Sequence, residues 1–251
     1  MLLKKILNFP IFKQQVLLKT HKNSTQVYFD KKNNFFRKTI KNNLGIENLI
    51  SEKEGLIWYC RLLKKKNKKI IKDFNFQTKK PYIDLKRVKG VQIKSWRTLE
   101  ENYPYILRTF YHYKKFFPKY RMSKIHGDLT LDNIIFENKK VFIIDWEYFR
   151  SKKNHKGYDI AYFFLSTLCL PYIAKKKISK KDEKLFIKLW KRLHKMKINK
   201  KILYDPFSFF EKNIKNDFFL KKALKISKSK FFPFITDKRY KKRVLSIIRN
   251  L

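Results

Sequence analysis

Apolar and polar residues change their period several times along the chain, and each change marks an element. Val27 to Phe29 and Phe35 to Ile40 are strand-like runs either side of "DKKNN", where Asp30, Asn33 and Asn34 carry turn chemistry, so this segment predicts a β-hairpin. The following "IENLISEKEGLIWYCRLL" places Leu49, Ile50, Leu56, Ile57, Tyr59, Cys60 and Leu63 at helical spacing and predicts an amphipathic helix. "IIKDFNFQ" and "PYIDLKRVKG" read as two further strands, the second closing at Gly90. Beyond it "SWRTLEENYPYILRTFYHYKKFF" resumes a helical period, with Ser95 as the expected N-cap.

The remainder is mainly helical, with one β insertion. "IIF" and "VFII" are short apolar runs around the turn "ENKK", and helical stretches follow at "DEKLFIKLWKRLHKM", around "DPFSFFEKNI" and at "DKRYKKRVLSIIRNL". The expected class is therefore α+β with two lobes, a β-rich one over residues 1–90 and a larger, mainly helical one over residues 91–251. No internal repeat is visible, and the lysine runs at 64–69 and 175–181 read as solvated loops or helix ends.

Composition bounds this picture without assigning a function. Hydrophobic residues make up 43% and aromatics 17% of 251 residues, enough material for a core and against wholesale disorder. The formal net charge of +43 invites an anionic partner. However, lysine far exceeds arginine, Asn, Ile and Phe are plentiful, and there are only 5 Gly and 7 Pro, the pattern an AT-rich coding sequence imposes on any fold. Nucleic acid or an anionic membrane is thus an admissible partner and not the favoured one. Cys60 and Cys169 stand far apart, without metal or redox spacing, and read as inert thiols of a reducing compartment. Lys4, Lys5, Pro10 and Lys13 interrupt the apolar N-terminal stretch below spanning length, so the expected location is cytoplasmic.

The chemistry gathers in "IHGDLTLDNIIF", Ile125 to Phe136, and in the "DWEY" that ends the next apolar run. Asp128 is followed five residues later by Asn133; if the two runs pair as a hairpin, Asn133 begins one strand and Asp145 ends the other. Three oxygen-bearing side chains then converge at one end of a small sheet, a donor set that suits Mg²⁺. An acid to orient a hydroxyl, an Asn five residues on and a later Asp after a strand are also what phosphoryl transfer from ATP requires. Asp132 reads as a turn residue, and the scattered His21, His112, His155 and His194 show no ligand spacing.

"IHGDLTLDNIIF", "VFIIDWEYF" and "GYDIAYFF" together resemble the aminoglycoside phosphotransferase and choline kinase superfamily, whose fold is protein-kinase-like; "IDWEY" and "YDIA" are especially similar to bacterial choline kinases. The resemblance rests on these motifs, and elsewhere on topology alone. It implies Asp128 as catalytic base, Asn133 and Asp145 as Mg²⁺ ligands, His126 as a packing histidine and Asp159 as a carboxylate bracing the loop. It further implies a nucleotide-binding first lobe, with a basic residue on a strand paired to a Glu on the next helix. Arg37 and Lys38 lie on opposite faces of "FFRKTI", of which Lys38 is favoured, and Glu52 is favoured over Glu54. Trp146 and Tyr148 flank Glu147, and a cationic acceptor such as choline would want aromatic faces and a carboxylate there.

Two features depart from the family. "DKKNN" has no Gly to close backbone amides on phosphate, a role Lys31, Lys32 and the Asn side chains would have to take, and "DLKRVKG" is unusually basic. The expected function is an ATP- and Mg²⁺-dependent kinase acting on a hydroxyl of choline, another amino alcohol or a sugar of a surface glycan. The alternative is a catalytically idle kinase-like protein whose basic surface holds RNA or anionic membrane. The acceptor and the oligomeric state are not readable from the sequence.

Overall fold

The computed structural model describes residues 15–20, 25–42, 45–63, 70–93, 98–117, 124–151, 157–196, 205–208 and 237–249, together with Lys212 and Phe234. The chain divides into two compact units, Met1–Val88 and Lys89–Leu251.

In the first unit, β1 (Gln15–Thr20), β2 (Thr25–Asp30), β3 (Phe35–Ile40), β4 (Ile71–Asn75) and β5 (Tyr82–Lys86) form an antiparallel sheet in the order β1-β2-β3-β5-β4. The sequence reading contains no β1, because Val16, Leu17 and Leu18 are consecutive apolar residues without alternation. The β2–β3 turn is closed by the side chain of Asp30, whose Oδ1 accepts the Asn33 backbone N–H at 2.9 Å and whose Oδ2 accepts Asn33 Nδ2 at 3.2 Å. Asn34 then takes φ 51, a left-handed conformation that Asn tolerates. This turn fixes the register that sets Lys38 opposite Val27 and Arg37 opposite Tyr28. Helix α1 (Gly45–Leu62) packs on β3 and β5, burying Leu49, Leu56, Tyr59 and Leu62. Each such side chain taken from water contributes about 1.5–3 kcal/mol.

In the second unit, helix α2 (Leu99–Phe116) starts from Thr98, not Ser95, which lies outside the described residues. Thr98 and Glu101 form a reciprocal capping box: the Glu101 N–H reaches Thr98 Oγ1 at 3.2 Å and the Thr98 N–H reaches Glu101 Oε2 at 2.8 Å. β6 (Val91–Gln92), β8 (Ile134–Glu137) and β9 (Lys140–Ile143) make a three-stranded antiparallel sheet with β8 central; β7 (Lys124–Ile125) pairs with β10 (Arg150–Ser151). Helix α3 (Tyr158–Leu168) is buried along its whole length; α4 (Leu170–Ile173) follows it closely, then α5 (Lys180–Lys195) and α6 (Lys238–Arg249). Helix α5 packs against α2, α3 and α6 through Phe186, Leu189, Trp190 and Leu193. The helix expected around "DPFSFFEKNI" is described only at residues 205–208 and 212, of which 206–208 and 212 are helical. Neither Cys60 nor Cys169 is in a disulfide, and burial pushes the Cys169 thiol up. No helix among the described residues is long and apolar enough to cross a membrane.

Candidate active site

The loop that carries Asp128 is tied down before Asp128 is reached. Ile125 is anchored by pairing with Arg150, and the two residues after it give their backbone N–H groups to one carboxylate: His126 to Asp159 Oδ2 at 2.8 Å and Gly127 to Asp159 Oδ1 at 3.0 Å. Asp159 belongs to the first turn of α3 and is 1% exposed. Burial pushes its pKa up to about 6, against the pull of the two amides. Gly127 sits at φ 87, and a Cβ there would lie 2.7 Å from the Tyr148 carbonyl oxygen, so glycine is required on both counts.

His126 is wholly buried, with both ring nitrogens committed to backbone. Nε2 meets the Ile144 carbonyl at 2.8 Å and so must donate; Nδ1 then accepts the Asp128 N–H at 3.3 Å. Its ring also lies edge-on to Trp146, centroids 4.6 Å apart. These contacts give it a positioning role in the loop.

Asp128 is held at both carboxylate oxygens. Tyr162 donates its hydroxyl to Oδ1 at 2.8 Å, and Asn133 Nδ2 reaches Oδ2 at 3.2 Å and the Asp128 main-chain oxygen at 2.7 Å. Asp128 itself is half-exposed, whereas Asn133 is buried. Asn133 closes the one-turn 3-10 helix Leu131–Asn133 that feeds β8, and its carbonyl takes the Ile144 N–H at 2.9 Å. That bond continues the β8–β9 ladder and brings Asn133 beside the end of β9, where Asp145 follows Ile144. Asp145 adopts φ 66, a left-handed backbone uncommon outside Gly, Asn and Asp. Its carboxylate lies within 4.8 Å of that of Glu147.

The donor chemistry here fits a hard divalent cation. With the Asn133 amide nitrogen turned to Asp128, its Oδ1 is the acceptor left on that side chain, and Asp145 supplies a carboxylate at the neighbouring strand end.

In the first unit the two basic residues of β3 have separate partners. Arg37 forms a two-pronged pair with Asp84 on β5, both bonds 2.7 Å, which holds its pKa further up, and its guanidinium lies 4.2 Å from the Tyr82 ring centroid. Lys38, on the opposite face, is buried and pairs with the buried Glu52 of α1 at 2.9 Å. Glu54 is exposed. In the β2–β3 turn Asn33 is engaged with Asp30, which takes its amide out of the expected role of substituting for a glycine-rich loop; Lys31 and Lys32 are exposed.

No family model matches the chain, and no curated protein matches its sequence. Among solved structures, the streptomycin-ATP-APH(2")-IIa ternary complex is similar over 80% of this chain and 91% of its own, with 14% identity and a TM-score of 0.40. The GDP and kanamycin complex of APH(2")-IIia is similar over 82% of this chain and 94% of its own, with 12% identity and a TM-score of 0.38. Likeness at that distance lends nothing to a functional assignment, which has to stand on the geometry.

Two features of that geometry differ from the sequence reading. Trp146 is 0% exposed and donates its indole N–H to the Ile143 carbonyl at 3.0 Å, so it is core and not a wall facing a ligand; Tyr148 is half-exposed and Glu147 buried. Tyr162, absent from the sequence reading, is the second donor on Asp128. Its signal was available in the i, i+3 step from Asp159 to Tyr162, which sets both on one face of α3 toward the loop.

Proposed function

We propose that the chain is an ATP- and Mg²⁺-dependent phosphotransferase, kinase-like in fold, that phosphorylates a hydroxyl group of a small molecule. The observation that carries this reading is the Asp128 carboxylate, half-exposed, fixed by donors on both oxygens and mounted on a loop clamped by Asp159. A carboxylate so held can accept a hydrogen bond from an acceptor hydroxyl and aim its lone pair at a phosphoryl group. As the new O–P bond forms and the bond to the leaving ADP oxygen breaks, the hydroxyl proton passes to Asp128. Asn133 and Asp145 would hold Mg²⁺, which when bound supplies positive charge to the phosphates. Lys38, steadied by Glu52, is assigned to the nucleotide phosphates.

Choline, another amino alcohol or a glycan sugar is the favoured acceptor. A polycationic aminoglycoside is the least favoured, since a chain of net charge +43 repels each of its amines and the acids gathered at the site are few, Asp145 and Glu147 besides Asp128. Glu147 is the residue proposed to meet a cationic acceptor nitrogen. ADP release measured over a panel of hydroxyl acceptors with Mg²⁺ tests the reading: Asp128→Ala should cut kcat by about 10²–10⁴-fold while the unfolding temperature holds. Absence of turnover with every acceptor, together with no Mg²⁺-dependent nucleotide stabilisation, sinks it. Glu147→Gln should raise KM for an amino alcohol and leave KM for ATP unchanged; a raised Mg²⁺ requirement instead would assign that carboxylate to the metal.

A further inference from the structure

Helix α5, like the shorter α6 beside it, has an outer face unlike those of α1 and α2. Its exposed positions are Lys180, Lys181, Lys184, Lys188, Lys191, Arg192, His194 and Lys195, without one acid or apolar residue. At 3.6 residues per turn, Lys181, Lys184, Lys188, Lys191, Arg192 and Lys195 fall within roughly 100° of arc. Phe186, Leu189, Trp190 and Leu193 occupy the opposite, buried side.

Coding bias acts on the whole chain and cannot by itself produce this contrast. The exposed positions of α1 are Glu47, Ile50, Glu54 and Arg61, and those of α2 are Glu100, Glu101, Pro104, Tyr111, Lys114 and Lys115, in both cases a mixture of signs. The acids near α5 are engaged locally. Asp182 closes the Ser179 capping box at the helix start, Glu183 pairs with Arg243 of α6, and Glu100 of α2 pairs with Lys181. Helix α6 packs beside α5 and extends the basic surface with the exposed Lys238, Arg239 and Lys242 and with Arg243 and Arg249, which pair with Glu183 and Asp205, while Lys175, Lys176 and Lys177 extend it before the helix begins.

We propose that the outer face of α5, flanked by α6, docks the protein on an anionic lipid bilayer. Charge complementarity identifies an array of phosphates, and the residue types favour a membrane over nucleic acid. The exposed face of α5 carries no Phe, Tyr or Trp in a chain that is 17% aromatic, and its one imidazole, His194, lies edge-on to the ring of Trp190. Proteins that hold single-stranded nucleic acid rely on aromatic faces that stack bases. Lysines are point charges suited to the diffuse field of a headgroup layer, and a 16-residue helix offers about 24 Å of them lying flat.

The test is sedimentation of the full chain with vesicles of phosphatidylcholine, alone or mixed with an equal amount of phosphatidylglycerol, alongside gel shifts with an RNA duplex. Binding to the anionic vesicles alone is expected, weakening steeply as salt rises from about 0.1 to about 0.5 M. Each lysine near such a surface is worth roughly a fivefold change in partitioning, so K184Q/K188Q/K191Q should bind roughly 100-fold more weakly. The control K79Q/K86Q/K89Q removes equal charge from exposed positions in the rest of the chain and should stay within a few-fold of wild type. Equal loss in the two variants would reduce the effect to net charge and overturn the proposal. So would duplex binding without vesicle binding, or no binding to either.

Discussion

Replacing Asp159 by Asn removes a charge and one acceptor from beneath the loop that carries Asp128, and the two losses act with opposite sign. The wild-type carboxylate takes the His126 N–H at 2.8 Å and the Gly127 N–H at 3.0 Å, at 1% exposure. An amide offers one oxygen and turns its NH₂ toward the other backbone donor, leaving a buried N–H unmatched at a cost of about 1–3 kcal/mol. Against this, burial lifts the Asp159 pKa to about 6, some two units above the ordinary Asp value, a differential of about 3 kcal/mol. Because the folded pKa is the higher one, this contribution is fully present below about pH 4 and is lost as pH rises through 6. Asn has no such dependence. Near pH 4 Asp159 is the neutral acid, whose hydroxyl oxygen still accepts the second N–H where an amide nitrogen cannot, so D159N should be the less stable protein there by about 1 kcal/mol, and equal to or more stable than wild type near pH 7. Urea unfolding of both proteins across this range gives the difference directly, since all other titrating groups are shared. A stability difference that stays flat with pH, or that grows in favour of wild type as pH rises, would refute the reasoning.

Two further substitutions separate stability from positioning. Lys38→Met leaves the 1%-exposed Glu52 without its ammonium partner and should cost about 3–5 kcal/mol. K38M/E52L should recover most of that in thermal unfolding while turnover stays as low as in Lys38→Met, which lacks the cation assigned to the nucleotide phosphates; a double variant as unstable as the single would contradict the pairing. Tyr162→Phe keeps the buried ring and removes only the hydroxyl bonded to Asp128 Oδ1, so unfolding should shift by about 1 kcal/mol at most. Its kcat should drop by about tenfold through loss of the carboxylate's orientation, and an unchanged kcat would show that Asn133 alone suffices.

What was legible in the sequence follows from how far apart the interacting residues lie along it. Asp128 and Asn133 are five residues apart and bonded through a single turn, and the return of the chain to Asp145 is a hairpin written in two apolar runs. Local patterns of this length survive without knowledge of the fold. The partners of β3 do not: strand alternation puts Arg37 and Lys38 on opposite faces, but which face meets Asp84, 47 residues away, and which meets α1 is decided by the sheet order. Tyr162 lies 34 residues beyond Asp128 in a helix apolar enough for every aromatic in it to read as core. Trp146 failed for the converse reason, since an aromatic beside an acid looks like a binding wall until its burial is known. A hydroxyl on a buried ring costs free energy unless it meets an acceptor, so each Tyr inside an apolar helix poses a question that a Phe does not. Put to "YDIAYFF", that question already had an answer in the chain: Tyr162 stands one helical turn from the carboxylate expected to brace the loop, and so could reach what the loop carries.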